Sequence, residues 1–98
     1  MKFGFHPEAE KEYAEAVRYY LEISPQLAAG FVAEVEHGVK TICRRPLAWR
    51  IIDRDVRRYL IHRFPFGLYY EYEAERVIIW AVMHLSRKPG YWESRLGS

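Results

Sequence analysis

The chain has 98 residues, half of them hydrophobic, which admits one compact domain over residues 1–98 and excludes a second core. One cysteine, Cys43, excludes an intramolecular disulfide, and the absence of an apolar leader or of roughly 18 consecutive apolar residues makes the cytoplasm the expected compartment. The net charge of +2 hides an asymmetry: residues 1–49 hold six Lys/Arg against seven Asp/Glu, and residues 50–98 hold nine against six.

In chain order, residues 2–5 are a strand candidate, and His6-Pro7 opens a helix with proline in its first turn. Ala9, Tyr13, Ala16, Val17, Tyr20 and Leu21 recur at helical spacing and predict one buried stripe ending near Ile23. Ser24-Pro25 stops this helix and caps the next. Leu27, Phe31, Val35, Val39 and Ile42 then form a second stripe, closed by Arg44-Arg45 and broken by Pro46. Two helices joined so tightly predict an antiparallel hairpin.

From residue 49 the pattern changes to strands, expected at 49–53, 56–64, 68–74 and 76–84, with gaps too short for anything but an antiparallel meander. Residues 77–83 are apolar on both faces, which predicts a central strand covered on both sides. Leu68, Tyr70 and Tyr72 alternate with Tyr69, Glu71 and Glu73, suggesting one buried and one wetter face. Residues 89–96 are expected to form a short C-terminal helix. The order is β-α-α-β-β-β-β-α, an α+β fold in which a helix hairpin covers one face of a mainly antiparallel sheet.

No metal site is expected, because the four histidines are scattered without helix-face spacing or an acidic cluster, and no phosphate loop or nucleophile elbow points to a cofactor or covalent chemistry. Metal-free chemistry on RNA would need cations for the phosphates and groups that move protons. Arg63, His84, Arg87 and Tyr91 are the residues of that kind on neighbouring strands or just beyond them. A histidine such as His84 is more often a hydrogen-bonded structural one, and its place at a strand end leaves both readings open. Arg57, Arg58, Arg63 and Arg87, with Tyr91 and Trp92, form a candidate recognition surface for an acidic partner or phosphates.

Several segments resemble the RelE/ParE superfamily of type II toxin–antitoxin (plasmid stabilisation) toxins. Pro7-Glu8-Ala9-Glu10 with Glu15-Ala16-Val17-Arg18-Tyr19-Tyr20 resembles the first helix of ParE-like toxins, and Phe31-Val32-Ala33-Glu34-Val35-Glu36 the second. More specific are Arg57 with Leu60, Phe64-Pro65-Phe66 leading into Tyr69-Tyr70, and His84-Leu85-Ser86-Arg87-Lys88-Pro89 followed by Tyr91-Trp92 and Arg95. The resemblance implies a helix hairpin on an antiparallel sheet and a cognate antitoxin whose C-terminal segment wraps the toxin. The acceptor would be the apolar helix surface and sheet groove, with Tyr13, Val17, Tyr20, Phe31 and Val35 as its residues.

Function divides within this superfamily. RelE-like members cleave messenger RNA on the ribosome with lysines, arginines and a C-terminal tyrosine; ParE-like members poison DNA gyrase. No lysine lies between Lys40 and Lys88 here, and the Phe-Pro-Phe turn and His-x-x-Arg-x-Pro segment lean towards ParE. The expectation is therefore a gyrase inhibitor neutralised by an antitoxin. The alternatives are a ribosome-dependent endoribonuclease using Arg63, His84, Arg87 and Tyr91, and a non-toxic antitoxin-binding module.

Overall fold

Two prolines set where the helices begin. In the computed structural model, which describes residues 2–87 and 93–96, helix α1 spans Pro7–Ile23 and helix α2 spans Pro25–Arg44. His6 Nδ1 accepts the Glu8 N–H (3.1 Å) and Ser24 Oγ accepts the Leu27 N–H (3.0 Å), so a side chain satisfies an orphan donor at each start. Glu8 and Glu10 sit in the first turn of α1 and Arg44 in the last turn of α2, all favourable to the helix dipoles. Ser24 alone separates the helices, and its N–H still bonds the Tyr20 carbonyl at 2.9 Å. The hairpin follows from that one-residue link.

Strand β1 (Lys2–Phe5) precedes the helices; β2 (Ile51–Asp53), β3 (Val56–Leu60), β4 (Phe66–Glu73) and β5 (Arg76–His84) follow them. They form one sheet in the order β1-β5-β4-β3-β2. Strands β2 to β5 are the expected antiparallel meander, and β1 pairs in parallel with β5 from Lys2↔Arg76 to Phe5↔Ile79. The long route through both helices between β1 and the meander is what allows that parallel pairing. The fold is thus the α+β arrangement of the sequence reading, with β5 central between β1 and β4.

The two helices pack their stripes onto one face of the sheet. Ala9, Ala16 and Tyr20 from α1 and Phe31, Val35, Val39 and Ile42 from α2 meet Leu68, Tyr70, Val77, Ile79 and Val82 in one buried cluster. Phe31 is its hub, with the rings of Tyr20, Phe64 and Phe66 at 5.1, 5.3 and 5.0 Å between centroids. At Gly38, a Cβ would come within 2.7 Å of Tyr59 Cε1 and 3.1 Å of Leu68 Cδ1, so this glycine sets how closely α2 lies on the sheet. The opposite face has a small cluster of Val56, Tyr69, Ala81 and Met83, with Trp80 and Leu96 packed partly against it.

Several expectations are corrected in detail. Strand β2 starts at Ile51 rather than 49 because the carbonyls of Leu47 and Trp49 accept from Arg57 Nη1, at 3.4 and 2.6 Å, instead of joining the sheet. Strand β3 stops at Leu60 because the chain turns through Arg63 in a left-handed conformation (φ 71°). The turn closes with Ile61 N–H to the Phe66 carbonyl (2.9 Å) and Phe66 N–H to the Phe64 carbonyl across Pro65 (2.8 Å). Leu21 is 53% exposed, since the sheet and α2 take the Ala9–Ala16–Tyr20 side of α1. Tyr69, expected on the wetter face, is 2% exposed because that face has its own cluster. Of the expected C-terminal helix, the described residues contain one 3₁₀ turn, Glu93–Arg95, and residues 88–92 lie outside them.

Candidate functional site

Alternation along β3 sends two adjacent arginines to different work. Arg57 turns its guanidinium to the chain between α2 and β2, where it holds the Trp49 and Leu47 carbonyls. Tyr70 assists from β4, its hydroxyl donating to the Pro46 carbonyl at 2.7 Å. Burial pushes the Tyr70 phenol up to about 12, with the Arg57 charge acting against it. Arg58 is exposed and lines an open cleft of about 380 Å³ with Trp49, Arg50, Ile51, Ile52 and Leu60. Ile51, Ile52 and Leu60 are themselves exposed, so cations and apolar side chains are interleaved at this sheet edge.

The other candidate cations follow the ends of β3 and β5. The Leu85 N–H bonds the Pro65 carbonyl at 2.8 Å, which fastens the end of β5 to the β3–β4 turn and brings Arg63, His84 and Arg87 to one rim. Arg63 is exposed, reaches Glu34 at 3.8 Å and lies over the Phe64 ring at 5.7 Å. Its left-handed backbone is uncommon for a residue with a Cβ. His84 stands edge-on to Phe66, and its Nδ1 lies 3.0 Å from the Ser86 N–H and 2.7 Å from Ser86 Oγ. Accepting the Ser86 N–H places the proton of the neutral ring on Nε2, so the unprotonated nitrogen a general base needs is already engaged. Tyr91 and Trp92 lie outside the described residues.

A second surface lies between β1 and the helices. Phe3, Phe5, Tyr13, Val35 and Val39 line a largely apolar groove of about 310 Å³, rimmed by Glu36 and Lys40. A neighbouring hollow of about 430 Å³ continues along α1 past Phe5, Tyr13, Ala14 and Val17. Phe5 stacks on Tyr13 at 6.0 Å, and burial, then the Glu36 charge, raises the Tyr13 pKa. Of the five helix residues expected to receive an antitoxin, Tyr13 and Val17 are half-buried and line this groove. Tyr20 and Phe31 are 8% and 0% exposed inside the core, and Val35 touches the groove floor at 1%. The core needs Tyr20 and Phe31 to fill the space between hairpin and sheet, which removes them from the surface.

Sequence reasoning overlooked a largely enclosed ion pair. Arg95 joins Glu12 at 2.9 Å, linking the C-terminal turn to the middle of α1. The one available signal was a glutamate beside the apolar stripe of α1, and nothing in the sequence pairs it with a residue 83 positions away. Among the described residues no group of three or more His, Cys, Asp or Glu is placed to hold a metal ion, and no helix is long and apolar enough to cross a membrane.

Comparison with known proteins agrees with this architecture. The family model "ParE toxin of type II toxin-antitoxin system, parDE" matches residues 4–89. Among solved structures, a chain of the "Chromosomal ParDE TA system from P. aeruginosa" has a similar fold, with a TM-score of 0.75 at 19% identity, covering 88% of this chain and 97% of that one. No curated protein matches. Because the family model runs from within β1 through the hairpin to beyond the end of β5, most of the chain, the chain belongs to the ParE toxins of type II toxin–antitoxin systems.

Proposed function

We propose that this toxin acts by binding and inhibiting DNA gyrase, without catalysing a reaction itself, and that a cognate antitoxin neutralises it in the cytoplasm. The observation that carries this reading is how the candidate site side chains are used. Arg57 holds two backbone carbonyls, His84 spends Nδ1 on Ser86, and no lysine lies from residue 41 to 87. A ribonuclease needs a proton acceptor and converging cations around one phosphate. The exposed arginines are instead divided between β3, where Arg58 borders exposed apolar side chains, and the chain beyond the ends of β3 and β5, where Arg63 and Arg87 lie. Spread cations with interleaved apolar groups suit a protein surface better than a single reacting phosphate.

The antitoxin segment in this proposal lies along the Phe5–Tyr13–Val17 groove. Apolar side chains would fill it, and Lys40 and Glu36 at its rim would fix direction. Ribosome-dependent cleavage is the second reading, favoured by the fastening of His84 and Arg87 to the Arg63 turn. Controlled expression of the toxin alone, with DNA breaks and message integrity followed in the same cells, separates the two. Breaks with SOS induction and intact messages are expected. Codon-positioned cleavage of messages without breaks would replace this proposal with the ribonuclease.

A further inference from the structure

Strand β1 covers only the first half of β5. Its ladder ends at Phe5↔Ile79, and the His6 N–H bonds the Ile79 carbonyl at 2.9 Å as the chain turns into α1. Beyond that point two side chains take up polar groups of β5. Glu12 Oε1 accepts the Val82 N–H at 3.0 Å, and Arg95 Nη1 donates to the Trp80 carbonyl at 2.8 Å. Arg95 also meets the Glu12 carboxylate with both terminal nitrogens, at 3.1 and 2.9 Å. One carboxylate and one guanidinium thus stand where β1 would have continued. The need arises at a bulge: pairing steps from Tyr69↔Ala81 to Tyr70↔Ile79, leaving Trp80 as the extra residue.

We infer that Glu12 and Arg95 are a latch that fastens the C-terminal turn, Glu93–Arg95, to α1 and β5. Both side chains are nearly enclosed, at 13% and 10% exposure, so neither charge can lose its partner without leaving a desolvated ion. An apolar plug of the same volume would stabilise the fold about as well. What the ion pair adds is geometry, because the planar guanidinium fork fits the Trp80 carbonyl and both carboxylate oxygens at once. Among the described residues, the apolar hold on this turn is Leu96 against the small cluster of the open face. Breaking the pair therefore releases the turn and leaves the helix-face core in place.

The latch also adjoins the groove: Glu12 immediately precedes Tyr13 in α1, and Tyr13 lines it.

Hydrogen–deuterium exchange on the full-length protein tests the latch without reference to toxicity. Arg95→Ala and Glu12→Ala should each speed exchange at residues 80–83 and 93–96 by about tenfold or more, with α2 amides unchanged. Arg95→Lys, which keeps charge but not the fork, should restore less than half of the protection. Arg95→Met keeps the packing volume and serves where the alanine variants fold poorly; it should give the same local release. Unchanged exchange in all four variants, or a uniform loss across helices and strands in Arg95→Met, would overturn the latch.

Discussion

The two faces of the sheet are built differently. On the helix side, large aromatic and branched side chains from five elements interlock around Phe31; on the other, four buried residues are partly covered by Trp80 and Leu96. The first face holds most of the apolar burial that opposes chain entropy in so small a domain. The second has little to lose, and its neighbouring edge exposes arginines and isoleucines. On the proposed function, stability and recognition are thereby kept apart, and a surface whose residues are not needed for folding can vary with its partner.

Substitutions on the two faces should separate accordingly. Phe31→Ala is expected to cost about 3–5 kcal/mol, because a fully buried ring is lost from the hub of the aromatic cluster. Met83→Ala on the open face should cost about 2 kcal/mol, at the lower end of the range for a buried side chain. Urea denaturation of the two variants checks the order, and equal losses would mean that the faces contribute alike.

Alkaline titration sharpens the same contrast. The folded-state pKa of Tyr70 is raised to about 12, whereas an unfolded tyrosine ionises near 10. Its contribution is therefore fully present below pH 10 and is lost as pH rises through 12, by about 2 kcal/mol. Tyr70→Phe should remove that share of the pH dependence, and at neutral pH should cost about 1 kcal/mol by leaving the Pro46 carbonyl without its donor. Gly38→Ala should also cost about 1–2 kcal/mol, since overlap with the buried Tyr59 ring outweighs the gain in helix propensity.

The smallest stability effect belongs to the most instructive pair. Arg57→Ala should lower stability by about 1–2 kcal/mol, as two carbonyls lose a charged donor. Its exposed neighbour Arg58→Ala should change stability by less than about 0.5 kcal/mol. If toxicity falls in the Arg58 variant, the sheet edge is a contact; if it falls in the Arg57 variant alone, the loss reflects the loop that Arg57 braces.

The elements were legible in the sequence because their signals are local. Pro7, Ser24-Pro25 and Pro46 punctuate the helices, and the shift from helical to alternating periodicity after residue 49 marks the sheet. Features that depend on distant partners were not legible. Whether Tyr69 is wet or dry depends on Val56 and Met83; whether Arg57 is a ligand or a brace depends on where the Trp49 carbonyl points. Nothing in the sequence joins Glu12 to Arg95, and only the end of β1 at Phe5 explains why both are largely enclosed. The candidate surface residues were named by type, but type does not tell which arginine of an alternating pair faces solvent.

The central claim is that this toxin binds and inhibits gyrase and cleaves nothing. The most direct measurement incubates the purified toxin with purified gyrase, ATP and relaxed plasmid, and in parallel with ribosomes programmed with a defined message. The account predicts loss of supercoiling with trapped DNA breaks and an uncut message; normal supercoiling with cleavage of the message at the ribosome would contradict it.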